Sequence, residues 1–205
     1  MAVIEQGPLR GPFFFARVVV RTGSRSVALL AFLLLSAWAA AEQRYVIFFA
    51  DGDNDMLAIG SLVVDAFDVA DGYQVALSDD LFGDFFLSMR PFRCIARAGK
   101  MLCHLPYPYE NRRRIGPRDL TDLEYDLLFI ARSPTEYGID PWNGRYFRLR
   151  WDGEAIVGEM HETDLDVLAS PPATGDYRPL ADADMLPVPA GGAQWAPLLR
   201  IVPDP

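Results

Sequence analysis

The sequence predicts an α+β domain, mainly antiparallel β sheet or partial barrel, with one or two short helices. Three observations point there. Aromatic and β-branched runs of strand length alternate with turn residues through most of the chain. Two segments carry hairpin turn pairs, Ala98-Gly99 and Asp152-Gly153. Only two segments, Met56 to Ala70 and Asp119 to Phe129, show apolar residues at helical spacing.

The first 41 residues read as a targeting segment. Val27 to Ala41 (VALLAFLLLSAWAAA) is uncharged over 15 residues, short of the roughly 20 that a spanning helix needs. Arg21 and Arg25 precede it and small residues end it, which is the order of a secretory signal. Cleavage is expected after Ala41 or Ala39, leaving no stable membrane anchor and, with no cysteine near the cut, no lipid anchor. A buried helix or an uncleaved anchor is the alternative. The Phe13–Phe15 and Val18–Val20 runs are foreign to a signal, so translation is expected to start later than Met1.

Removing residues 1–41 takes away four arginines and Glu5, moving the net charge from −9 to −12. Such a balance argues against nucleic acid and anionic membranes as partners and suits a basic envelope protein. Lysine occurs only at Lys100 while arginine is abundant, a pattern of high-GC bacterial genomes. Export then implies a periplasmic or secreted bacterial protein. The 164 residues that remain suffice for one core.

Arg44 to Ala50 (RYVIFFA) is predicted as a strand, ended by Asp51 to Asp55. Met56 to Ala70 is ambiguous: Met56, Ile59, Val63, Phe67 and Ala70 fit a helical stripe that Asn54 or Asp55 could cap. Tyr73 to Leu77 reads as a short strand, Asp84 to Leu105 as a longer β region, and Asp119 to Phe129 as a helix with Leu120, Leu123 and Leu127 inward. Arg145 to Glu162 is the second hairpin. From Ser170 there are eight prolines in 36 residues, so 42–169 is expected to form the domain and 170–205 an extended or mobile tail.

A two-residue turn at Ala98-Gly99 sets Cys94 opposite Cys103. One face then carries Ala96, Met101, Cys94, Cys103, Phe92 and Leu105, all apolar. The other carries Arg93, Arg97, Lys100 and His104, with Ile95 and Leu102 between them. Because a one-residue slip exchanges the faces, this agreement supports the register. Cys94 and Cys103 fall at a non-hydrogen-bonded pair, about 4.5 Å apart at Cα, and an oxidising compartment permits their disulfide; two buried thiols are the alternative. In the second hairpin a turn at Asp152-Gly153 pairs Leu149 with Ile156 and Phe147 with Gly158. Tyr146, Arg148, Arg150, Glu159 and His161 take the opposite side.

Candidate chemistry is sparse. His104 and His161 are the only histidines. His161-Glu162-Thr163-Asp164 begins like a zinc-protease motif but lacks the second histidine. Asp51, Asp53 and Asp55 alternate like the first ligands of a calcium loop, but Met56 and Leu62 stand where glycine and glutamate belong. Two cysteines and one neighbouring histidine are too few for zinc, so no metal is expected. No phosphate loop, nucleophile elbow or dinucleotide fingerprint occurs, so no cofactor is expected either. Asn111 to Arg118 (NRRRIGPR) is a basic island in an acidic chain. Arg112, Arg113 and Arg114 could grip a phosphate or carboxylate, or could pair with Asp119, Asp122, Glu124 and Asp126. Tyr107, Tyr109 and Trp142 place aromatics in loops, where they could bind ligand or cover a sheet end.

Arg44 to Ala70, an aromatic strand, acidic turn and apolar helix, resembles the opening of the OmpA-like peptidoglycan-binding domain. That family's histidine-threonine-aspartate stretch and arginine-containing helix have no counterpart downstream, so the chain is not assigned to it. The leading expectation is a non-enzymatic envelope protein that binds a basic partner or a small anionic ligand. The alternative is a periplasmic hydrolase using His161 with Glu162 or Asp164. An enzyme should gather His161 or His104 with acids in one cleft.

Overall fold

The computed structural model describes residues 42–51, 55–65, 71–87, 90–97, 99–188 and 195–205. Residues 1–41, read above as a targeting segment, lie outside them, as do Asp53, Asn54, Phe67, Ala70 and Ala98. Twelve strands form one sheet: β1 (Gln43–Ala50), β2 (Met56–Asp65), β3 (Asp71–Leu77), β4 (Gly83–Leu87), β5 (Arg90–Arg97), β6 (Lys100–His104), β7 (Arg114–Ile115), β8 (Phe129–Arg132), β9 (Gly144–Asp152), β10 (Ala155–Thr163), β11 (Leu186–Pro187) and β12 (Leu198–Pro203). Their order is β4-β5-β6-β8-β9-β10-β12-β1-β2-β3-β7, with β11 beside β10. Each pairing is antiparallel. The sheet does not close into a barrel. Among the described residues the one α-helix is α1 (Thr121–Asp126), so they are mostly antiparallel β and the α+β description overstates their helix. No helix of the described residues is long and apolar enough to cross a membrane.

One core joins both ends of the sheet. Ile95 and Leu102 from β5 and β6 share it with Ile59, Leu62 and Tyr73 from β2 and β3. Strand alternation supplies the rest: Ile47 and Phe49 on β1, Phe147 on β9, Ile156 on β10, Leu199 and Ile201 on β12. Phe49 stacks on Phe147 and meets Phe129 edge-on. Helix α1 sends Leu123 inward, and flanking Leu120 and Leu127 join it. A second cluster lies on the other face of β8 and β9, with Tyr125, Ile130, Tyr146, Leu165 and Leu168. β8 and the first four residues of β9 are therefore buried on both sides, and Tyr146, expected on a polar face, is 1 % exposed.

Met56–Asp65 is a strand, not a helix, which also removes the strand-helix opening of the peptidoglycan-binding resemblance. The misleading spacing has a cause. Between Ile47↔Gly60 and Phe48↔Ala58 the register shifts, leaving Ile59 as an extra residue. Such a bulge breaks the period of two, so Ile59 and Leu62, three apart, both face the core.

The first hairpin has the expected register, Cys94↔Cys103 and Arg97↔Lys100, and Gly99 takes φ 72° at the turn. Cys94 and Cys103 form a disulfide, with Cα atoms 4.0 Å apart. Their face, with Phe92 and Met101, packs a small separate cluster under Leu87. The larger core takes the opposite face, through Ile95 and Leu102. In the second hairpin Trp151 pairs with Ile156 and Leu149 with Gly158, two residues from the expected register. The turn residues are Gly153-Glu154, with Gly153 at φ 63°, the first-position glycine of a type II′ turn. A two-residue shift leaves every side chain on its expected face.

The segment after Ala169 is part of the domain. Its strand β12 lies between β10 and β1, in the middle of the sheet. Upstream, Tyr107 donates to the Tyr177 carbonyl at 3.0 Å, the Leu180 N–H donates to Tyr125 at 2.7 Å, and Arg148 pairs with Asp182. Where described, the segment is irregular, with a 3-10 turn at Asp182–Asp184, and these hydrogen bonds tie it to the rest of the domain.

Candidate anion-binding site

The basic island is displayed by alternation. Asn111 accepts from the Arg113 N–H at 2.9 Å and donates through Nδ2 to the Asp122 carbonyl at 2.9 Å. This local turn carries Arg113 at φ 52°, a left-handed conformation that the asparagine contact helps to hold. Then β7 pairs with β3 (Gly72↔Arg114, Asp71↔Ile115). Ile115 is buried in the core, so Arg114 points out. Gly116 and Asp119 close a β-turn through reciprocal backbone hydrogen bonds of 2.8 and 3.3 Å. Pro117, at the second position, has the fixed φ that such a turn uses, and Arg118 sits exposed at its tip.

Arg112, Arg114, Arg118 and Arg178 line one open cavity of about 480 Å³, together with Asp119 and Asp122. Four arginines against two aspartates leave two positive charges in a chain of net charge −9. The aspartates are already engaged. Arg178 reaches buried Asp122 through Nε at 2.9 Å and Nη2 at 2.6 Å, and Asp119 through Nη1 at 2.7 Å. Asp122 also accepts the Arg114 backbone N–H at 3.1 Å. For Asp119, burial by itself raises the carboxyl's pKa, but hydrogen bonds from Arg178 and Thr121 outweigh it and hold the group below its usual range. The other acids of α1 are also taken. Asp126 meets Arg113 at 3.4 Å, and Glu124 accepts the Tyr146 hydroxyl and, at 2.6 Å, the Leu149 N–H. Arg112 lies over the Tyr177 ring at 4.9 Å. Among the described residues, no carboxylate pairs with the Arg112, Arg114 or Arg118 guanidinium.

Of the other expected site residues, Arg113 turns away to a second cleft. Tyr107 and Tyr109 cover the sheet: they stack edge-on at 5.7 Å, and Tyr109 donates to the Leu168 carbonyl at 2.7 Å. Trp142 is 68 % exposed and lines neither cavity. Sequence reasoning missed Arg178 and Tyr177. Arg178 is the only cation between Ser170 and Leu199, but no spacing rule ties it to Asp119 and Asp122, nearly 60 residues away.

The second cleft, about 440 Å³, brings His104 together with Asp126, Asp79, Arg93, Arg113 and Tyr107. The His104 Nε2 lies 2.9 Å from the Asp126 backbone carbonyl. A carbonyl only accepts, so Nε2 carries the proton and neutral His104 keeps Nδ1 as an acceptor. Burial lowers the imidazole's pKa. Burial also raises the Asp126 carboxyl, which accepts the Tyr73 hydroxyl at 3.0 Å. Asp79 pairs with Arg93 at 2.8 Å. Among the described residues, no serine, threonine or cysteine lines this cleft.

The His161 group expected of a hydrolase is not assembled. His161 contacts the Glu159 carbonyl at 3.1 Å, Glu162 pairs with buried Arg145 at 3.1 Å, and Asp164 caps a 3-10 turn through the Asp166 N–H. Asp55, from the alternating aspartates, pairs with Arg97 at 2.9 Å. Compared with protein-family models, characterised proteins and solved structures, the chain matches none of them.

Proposed function

We propose that this is a non-catalytic binding protein of an extracytoplasmic compartment that holds an anionic group at Arg112, Arg114 and Arg118. One observation carries the reading. The carboxylates that would neutralise these arginines are engaged by Arg178 and Arg113 and by backbone or hydroxyl donors. Guanidinium groups converging on a cavity whose two carboxylates are already paired with Arg178 suit a carboxylate or phosphate, which they grip in forked geometry. The Cys94–Cys103 disulfide is compatible with an oxidising compartment. The acidic surface elsewhere suits the basic protein partner also expected from the sequence.

Isothermal titration with inorganic phosphate and with acetate tests the reading. Binding should weaken as salt rises and fall at least tenfold in the Arg114→Ala/Arg118→Ala double variant. The Arg112→Ala/Arg113→Ala/Arg114→Ala variant should stay folded, losing about 0–1 kcal/mol, since Arg113 in its one ion pair is well exposed. No anion binding, or binding indifferent to these substitutions, removes the proposal.

A hydrolase reading moves from His161 to the second cleft, where His104 meets acids. Hydrolytic turnover lost in His104→Ala but retained in the arginine variant would replace the binding reading.

A further inference from the structure

We infer that the anion bound at the arginine cavity is the head of an amphipathic molecule, whose apolar body crosses the Ile115–Pro117 segment into a neighbouring cavity. This rests on the proposed anion site and adds the class of ligand.

A second hollow of about 350 Å³ shares Ile115, Gly116 and Pro117 with the arginine cavity. Among the described residues, no charged side chain lines it. Its wall is Tyr45, Val64, Ile115, Pro117 and Trp151, with Gln43 the one other polar side chain beside Tyr45. Two of the wall's polar groups are engaged within the protein. Trp151 Nε1 donates to the Gly116 carbonyl at 3.0 Å, and Tyr45 donates to Gln43 at 3.0 Å. What remains toward the hollow is mainly hydrocarbon and ring face. A surface of that kind gains from apolar contact and offers little to a sugar. Charge on one side of the segment and hydrocarbon on the other thus match the two ends of an alkyl phosphate or a fatty acid.

Gly116 lies where the two hollows meet and lines both. A Cβ added there would touch nothing within 4 Å. Its missing side chain leaves open the crossing that a chain-like ligand needs, and a larger residue would fill it without a clash against the protein.

The test is an affinity ladder. The protein is titrated with methyl, butyl, hexyl and octyl phosphate below their aggregation concentrations, and with 1-octanol. Each added pair of methylenes should strengthen binding roughly three- to fifteenfold, the upper end meaning full burial, until the hollow is filled. Octanol should bind far more weakly than octyl phosphate. Gly116→Val should flatten the ladder, so that this variant binds octyl phosphate no tighter than it binds methyl phosphate. Arg114→Ala should weaken every phosphate by a common factor and leave the ladder's slope intact. Equal affinity for methyl and octyl phosphate would overturn the amphipathic inference and leave the anion site standing. No binding of any phosphate would remove both. A ladder that persists in Gly116→Val, or octanol binding as tightly as octyl phosphate, would also overturn it. So would cosedimentation with phosphatidylglycerol vesicles without binding of the monomeric amphiphiles, which would make the surface a membrane contact.

Discussion

Replacing Ile201 with alanine should destabilise the protein by about 3–4 kcal/mol. Ile201 lies in β12, opposite Ile47 of β1 and Ile156 of β10, and all three side chains are fully buried. The substitution removes three carbons, each worth about 0.8 kcal/mol on transfer, or roughly 2.4 kcal/mol. A cavity term adds to this, because ladders on both sides hold the neighbours in place and limit collapse. Val202, on the opposite face and half-buried, is the control: Val202→Ala should cost about 1 kcal/mol or less. Urea unfolding followed by circular dichroism measures both, the expected result being a lower midpoint with an unchanged slope. Ending the chain at Ala169 should be more severe, since it strips β1 and β10 of their shared partner and leaves two open edges. If Ile201→Ala costs under 1 kcal/mol, or the shortened chain melts like the parent, then β12 is not the centre of the sheet and the reasoning fails.

Changing Cys94 and Cys103 together to serine should lower stability by about 2.5 kcal/mol in the chain-entropy account for a separation of nine residues; thiol titration of the unfolded, unreduced parent should find no free thiol. Gly60→Ala should cost at least about 2 kcal/mol by thermal melting, because its Cβ would sit 2.3 Å from the Ala76 carbonyl oxygen on the paired strand, whereas Gly116→Ala, with open space, should be nearly neutral. Glu124→Ala should cost about 3 kcal/mol, since the buried Tyr146 hydroxyl and the Leu149 N–H lose their acceptor. Burial raises the Glu124 carboxyl above its ordinary 4.5. The folded state therefore holds the proton to higher pH than the unfolded chain, and the stability this group contributes is full below about pH 4.5 and lost as pH rises through the folded value. Stability measured against pH should fall across that window in the parent and stay flatter in Glu124→Gln; parallel profiles would contradict the assignment.

The sequence by itself determined what adjacent residues determine. The Cys94↔Cys103 register and the turn at Gly99 were legible because a two-residue turn fixes pairing within ten residues. Side-chain faces of the second hairpin were legible too, and they survived a two-residue error in its turn because strand faces repeat with period two. The basic island could be read as residues, and so could the helix around Leu123. Which face of the first hairpin meets the main core could not, because the all-apolar face is the one local pattern would bury, and only the curl of a sheet carrying eleven strands in sequence brings Ile95 and Leu102, set among Arg93, Arg97, Lys100 and His104, to the larger core. The Ile59 bulge imitated a helical stripe. In the last 36 residues, proline content masked the short run Leu198–Val202, whose placement between β1 and β10 depends on strands more than 35 residues away. The arginine cavity shows the same division. Local sequence places Arg112, Arg114 and Arg118 beside Asp119 and Asp122, which suggests that they pair. The tertiary structure brings in Arg178, which occupies those carboxylates first. Competition for a carboxylate is decided by which guanidinium reaches it with the best geometry, and only the folded chain sets those distances.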